Sequence, residues 1–66
     1  MHITVNGSPQ EIAEGASVAD LITILDLSQR RVAVEVNKDI VRRAEHGTHQ
    51  LQDADVVEIV TLVGGG

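Results

Sequence analysis

Residues 1–5 alternate. Met1, Ile3 and Val5 fall on one side of an extended chain and His2 and Thr4 on the other, the period of a half-buried strand. Asn6-Gly7 follows. This is the strongest short hairpin signal, because a type I′ turn needs positive φ at both central residues. A two-residue turn there pairs Val5 with Ser8, Ile3 with Gln10 and Met1 with Ile12. Pro9 has no N–H to give to a ladder, so the second strand is expected at a sheet edge. Glu14-Gly15 breaks the strand. Ser17 is a good helix N-cap, and Asp20 stands three residues on, as in a capping box. Val18, Leu21, Ile22 and Leu25 then recur at the spacing of one helical face, which predicts a helix from about residue 18 to about 26.

Strand alternation returns at residues 32–36, with Val32, Val34 and Val36 on one face and Ala33 and Glu35 on the other. Asn37-Lys38-Asp39 reads as a turn and Ile40-Val41 as a short strand. Residues 42–50 are polar without a clear period, so a loop with at most one helical turn is expected. Leu51 is read as the start of a small strand or bulge, and Asp53-Ala54-Asp55 as a second turn. Residues 56–62 carry the strongest strand signal, being rich in β-branched side chains. A lone two-stranded hairpin is barely stable, so the helix must cover one face of a mixed sheet. The last strand is the most apolar and should be central, beside the first strand, with the helix in a right-handed crossover. That arrangement is an α+β β-grasp: four to five strands with one main helix on one face. It is expected to span residues 1–63, followed by a flexible glycine tail at 64–66.

Composition narrows what such a domain can do. Sixty-six residues make one domain, and a chain this short buries only about 60% of its unfolded surface. There is no Cys, Phe, Tyr or Trp, so the core is aliphatic and no disulfide reinforces it. Without aromatics there is no stacking platform for single-stranded nucleic acid. A net charge of −5 argues against phosphate-backbone binding. No apolar run approaches the ~20 residues of a membrane span. The chain opens at once on a strand pattern, so no signal peptide is read and a cytoplasmic location is expected. The five basic residues, Arg30, Arg31, Lys38, Arg42 and Arg43, all lie mid-chain, and the acidic Glu45, Asp53, Asp55 and Glu58 follow them. A partner gripping the C-terminal end is therefore expected to present positive charge there. The plainer account is a solvated acidic surface.

Candidate chemistry is sparse. His46 and His49 lie three apart but lack further ligands, so no metal site is expected. Asp53 and Asp55 read as turn builders. No catalytic constellation and no phosphate-binding glycine loop is present, so neither an enzyme nor a bound cofactor is expected. Gly64-Gly65-Gly66 is different. A terminal carboxylate is a poor electrophile until it becomes an acyl-adenylate, which must happen inside another protein's ATP site. A tail without Cβ atoms threads a narrow channel and tolerates almost any φ/ψ. Three extended residues reach about 10 Å. If Val57 and Ile59 turn inward, then Glu58, Val60 and Leu62 face outward with Ala33 and Glu35, and with Val63 they form a candidate docking surface. A frayed end is the alternative account of the glycines.

Two segments, Val34-Glu35-Val36-Asn37-Lys38-Asp39-Ile40-Val41 and the stretch from Leu51 to Gly66, resemble the ThiS family of ubiquitin-like sulfur carriers. Asn6-Gly7 and the helix start Ser17-Val18-Ala19-Asp20-Leu21 extend the resemblance over nearly the whole chain. Members often have Pro where this chain has Arg42, and many have an aromatic residue where it has Leu62. The resemblance implies a protein substrate. A ubiquitin-activating-type adenylyltransferase (ThiF type) adenylates Gly66 with its own ATP and Mg²⁺, and Gly64 and Gly65 thread its channel. A cysteine desulfurase relay supplies persulfide sulfur, which replaces AMP. The resulting thiocarboxylate gives its sulfur to a thiazole synthase (ThiG type) in thiamin biosynthesis. Two other readings stay open here: the small subunit of molybdopterin synthase, with the same thiocarboxylate chemistry, and a ubiquitin-like binding or conjugating module without sulfur chemistry.

Overall fold

The computed structural model describes residues 1–63. The three terminal glycines, and with them the expected flexible tail, lie outside the described residues. The strands are β1 (His2–Val5), β2 (Ser8–Glu11), β3 (Val32–Val36), β4 (Asp39–Val41) and β5 (Val56–Thr61). The helix α1 (Val18–Ile24) and one 3-10 turn (Arg43–Glu45) complete the elements. The sheet order is β2-β1-β5-β3-β4, with β5 central and parallel to β1 and the other pairs antiparallel. This is the β-grasp expected from the hydrophobic pattern.

Asn6 (φ 50) and Gly7 (φ 83) form the type I′ turn. They fix the foreseen register, Val5 opposite Ser8 and Ile3 opposite Gln10. The ladder extends to Met1, whose carbonyl accepts from the Ile12 N–H at 2.9 Å. Pro9 lies on the edge strand, where its missing N–H costs nothing. The β3–β4 turn is tighter than the three residues read from the sequence. Asn37 (φ 52) and Lys38 (φ 72) both take left-handed backbone angles, so two residues close it and Asp39 pairs with Val36.

The helix begins where its side chains can satisfy its own backbone. Ser17 Oγ accepts from the Asp20 N–H at 3.1 Å, and the Asp20 carboxylate accepts from the Ser17 N–H at 2.9 Å. The two preceding donors are taken by the loop: Val18 N–H reaches the His49 carbonyl at 3.0 Å and Ala19 N–H the His46 carbonyl at 2.8 Å. The helix ends earlier than the predicted residue 26. Asp26 turns left-handed (φ 59), and the N–H groups of Asp26 and Leu27 bond back to Thr23 and Ile22. This is a Schellman closure, here with Asp in the position glycine usually takes.

Val18, Leu21 and Ile22 of α1 pack against Ile3, Val5, Val34, Val36, Val57 and Ile59 of the sheet. Leu51 is buried with them. The small strand expected at Leu51 is reduced to a single bridge between Gln50 and Ser17, with the Leu51 N–H donating to the Ala16 carbonyl at 2.8 Å. Among the described residues no helix is long and apolar enough to cross a membrane.

Candidate functional site at the end of the central strand

The tail would leave the fold from β5, so what holds β5 holds its root. The ladder to β3 covers nearly all of it, from Val36 opposite Val57 to Val32 opposite Thr61. The ladder to β1 is short and ends at Val5 opposite Val57. Asn6 then takes over. Its N–H donates to the Val57 carbonyl at 2.9 Å, its Oδ1 accepts from the Ile59 N–H at 2.8 Å, and its Nδ2 donates to the Ile59 carbonyl at 3.0 Å. Asn37 does the same at the start of the strand. Its N–H donates to the Val56 carbonyl at 2.7 Å, its Oδ1 accepts from the Val56 N–H at 2.9 Å, and its Nδ2 donates to Asp55 Oδ1 at 2.9 Å. Each turn asparagine thus sets its own hairpin and also grips the central strand from one side.

Asp53 and Asp55 are turn builders, as read. Asp55 is buried and its other carboxylate oxygen accepts from the Gln52 N–H at 2.8 Å, while Asp53 accepts from the His2 N–H at 2.8 Å. His46 and His49 are separated in role. The His46 ring is buried with Nε2 donating to the Val41 carbonyl at 3.1 Å, and both residues lend main-chain carbonyls to the start of α1.

Val57 and Ile59 face the core, and Glu58 and Val60 face outward. Val60 lies opposite Ala33 and Glu58 opposite Glu35. These four residues and Asn6 line a shallow depression of about 160 Å³. Two carboxylates directly across a ladder repel each other, and among the described residues no basic group pairs with either. The outward face therefore combines an exposed valine with uncompensated negative charge. Leu62 is not part of that depression. It lies beyond the end of β5, with its N–H held by the Arg31 carbonyl at 2.8 Å. It is half exposed and lines a second, larger cleft of about 490 Å³ with Ile22 and Val32. Val63 is 98% exposed. Gly66, expected to be modified, and Gly64 and Gly65, expected to thread a channel, lie outside the described residues.

Folding changes the charge pattern around the tail. Along the chain, every cation precedes the acidic last stretch. In space, Arg30, Arg31 and Arg43 line the same cleft as Leu62. The cause is the antiparallel register: with Val32 opposite Thr61, the residues just before β3 lie beside those just after β5. The C-terminal root is therefore flanked by positive charge on this side, in addition to the acidic residues of the last stretch. The arginines were missed as site residues because their neighbours are set by strand pairing.

Known proteins share this architecture. A crystal structure of a thiamine biosynthesis protein (ThiS) from Geobacter metallireducens superposes with a TM-score of 0.84 at 35% identity, covering 100% of both chains. The sulfur carrier protein ThiS of Escherichia coli is 32% identical over 66 residues, again 100% of each chain. A thiazole synthase from Magnetococcus marinus is 38% identical over 66 residues, which is 100% of this chain and 20% of that protein. The ThiS family model matches residues 3–66. The chain belongs to the ThiS family.

Proposed function

We infer that the chain is a sulfur carrier of thiamin biosynthesis, that Gly66 is the residue that carries the sulfur, and that the chain is a protein substrate and not an enzyme. The observation that carries this reading is the family match that runs through to Gly66, set on a central strand clamped by Asn6 at Val57 and Ile59. A rigid β5 presents the next residues in one direction, and glycines without Cβ atoms fit a bore that other residues would block.

The steps follow from the chemistry of a carboxylate. The Gly66 carboxylate attacks ATP in an activating enzyme of the ubiquitin-activating type (ThiF type), forming an acyl-adenylate and releasing pyrophosphate. Sulfur from a cysteine desulfurase relay, delivered as a protein persulfide, displaces AMP at the acyl carbon to give an acyl disulfide. A second protein thiol cleaves its S–S bond, leaving a protein disulfide and the chain's thiocarboxylate. The resulting thiocarboxylate is a softer and stronger nucleophile than the carboxylate, and it hands its sulfur to a thiazole synthase. ATP and Mg²⁺ belong to the activating enzyme, and this chain binds no cofactor. The Magnetococcus marinus thiazole synthase, which contains a stretch similar to this whole chain, supports the synthase as a partner. These steps belong in the cytoplasm, where ATP and persulfide relays operate together. The outward face with Glu58, Val60, Ala33 and Glu35 docks the activating enzyme in this reading, with Leu62 and Val63 beside it at the root of the tail. Glu58 and Glu35 meet basic groups of the activating enzyme, and Val60 supplies the apolar contact.

The test is transfer. The chain is charged with isotopically labelled sulfur and supplied to the thiazole synthase with its small-molecule substrates. Label in the thiazole ring, abolished when Gly66 is deleted, is the expected result. Label appearing instead in a pterin dithiolene would move the chain to the molybdopterin branch. Isopeptide adducts on lysines without thiocarboxylate would make it a conjugating module.

A further inference from the structure

The chain is acidic overall, with ten Asp and Glu against five Lys and Arg. Three of those five, Arg30, Arg31 and Arg43, nevertheless line one cleft. Among the described residues the one acid–base contact is His2 with Glu11 at 3.9 Å, so no described carboxylate pairs with any of the three. All three are exposed. Three like charges gathered without a counter-charge repel one another, and an incoming anion relieves that repulsion.

The cleft's chemistry selects the anion. All three cations are arginines, whose planar forks bind carboxylates and phosphates bidentately. Ile22, Val32 and Leu62 give the cleft an apolar part, beside the polar Thr23, Ser28 and His46. A nucleotide would want an aromatic stacking surface, and the chain has none. It would also want free N–H groups at the helix start. Those of α1 are already taken by the carbonyls of His49 and His46 and by Ser17 Oγ. An acidic peptide needs neither. Its carboxylates meet the guanidinium groups and an apolar neighbour meets the wall.

We propose that this arginine cleft seats an acidic peptide segment of the thiazole synthase, with Asp or Glu side chains on Arg30, Arg31 and Arg43 and an apolar side chain against Ile22, Val32 and Leu62. The proposal rests on the thiazole synthase being a partner, as inferred above. Position supports it. Leu62 is two residues from Gly64 and is tied by its N–H to the Arg31 carbonyl, so the cleft adjoins the residues that lead into the tail. The two flanks of the tail's root then carry opposite signs, with Glu35 and Glu58 on the outward face and the arginines in the cleft. A partner complementary to both can dock in one orientation only.

The experiment measures binding of the full chain to its cognate thiazole synthase by calorimetry across a salt series. The variants are Arg30→Ala/Arg31→Ala/Arg43→Ala and the corresponding triple lysine chain, with thermal unfolding of each recorded alongside. The alanine triple should keep its fold, weaken binding by about tenfold or more and flatten the salt dependence. The lysine triple should restore the salt dependence and only part of the affinity, because the charge returns without the fork. Alanine-triple binding within about twofold of wild type, with the same salt slope, would overturn the cleft as a docking site. Displacement of the synthase by inorganic pyrophosphate acting through these arginines would assign the cleft to a small anion instead. Tighter synthase binding on removal of Gly64–Gly66, seen only with the arginines present, would assign it to the chain's own terminus. A wild-type chain that does not bind the synthase at all would overturn the partner reading and this proposal with it, whereas loss in the alanine triple alone bears only on the cleft.

Discussion

Asn6→Gly separates two jobs that one residue performs. Glycine keeps the left-handed turn, where Asn6 sits at φ 50, and removes both side-chain hydrogen bonds to Ile59, at 2.8 and 3.0 Å. Each such bond is worth about 0.5–1.5 kcal/mol net, so their loss costs about 1–3 kcal/mol. The greater freedom of glycine in the unfolded chain adds roughly 0.4–1 kcal/mol. Both bonds are only partly buried, so water replaces some of what is lost and a total near 2 kcal/mol is expected. A domain of 66 residues has on the order of 3–10 kcal/mol in total, so the effect is large. Asn6→Ala loses the same bonds and, relative to glycine, keeps a Cβ in the left-handed region without asparagine's polar side chain to offset it, at a cost of about 1–2 kcal/mol. The expected order of stability is wild type, then Asn6→Gly, then Asn6→Ala. Urea denaturation reads the totals, and amide exchange at Ile59 reads the local effect. About 2 kcal/mol corresponds to roughly a thirtyfold loss of protection there. Unchanged urea midpoints with unchanged Ile59 protection would refute the clamp. An alanine variant more stable than the glycine variant would refute the backbone argument.

Ser17→Ala removes one half of the capping box and should cost about 1 kcal/mol, seen as a lower urea midpoint at unchanged slope. No change would mean that the His46 and His49 carbonyls hold the helix start without it. Ala54 sits at φ 72 in the turn before β5, so Ala54→Gly should raise stability by about 0.5 kcal/mol, the relief of strain exceeding the entropy cost. A lower melting temperature would contradict this. Val60 and Leu62 are 60% and 50% exposed, so Val60→Glu or Leu62→Glu should leave the fold intact and slow adenylation by about tenfold or more. A folded variant adenylated at the wild-type rate would remove its residue from the docking surface.

Local chemistry made much of this fold legible. Asn6-Gly7 dictates a type I′ turn, and a two-residue turn sets the register of every pair behind it. Ser17 and Asp20 mark the helix start because capping is decided within four residues. The apolar, β-branched run at residues 56–62 marked the strongest strand, and the structure places it at the centre of the sheet. What stayed hidden depends on contacts distant in the chain. Asn6 and Ile59 are 53 positions apart, and nothing near Asn6 announces the clamp. The placing of Arg30 and Arg31 beside Leu62 follows from pairing Val32 with Thr61, so the charge order along the chain did not reveal the cleft. The helix end was legible only to within about two residues, because Asp26 looks helix-compatible until its left-handed angle is seen. Asp55, counted among surface acids, spends its carboxylate on Asn37 and Gln52 inside the fold. For the candidate site, the outward set Glu58, Val60, Ala33 and Glu35 followed from strand alternation, whereas the side taken by Leu62 did not, because it lies past the last residue of β5.

The carrier role itself stands or falls on Gly66. The measurement is the intact mass of the purified chain after incubation with ATP, a thiamin-type activating enzyme and a persulfide source. A gain equal to exchanging one oxygen for one sulfur, absent in the chain lacking Gly66, is the expected result. An unchanged mass with partners shown to be active on another carrier would contradict the assignment.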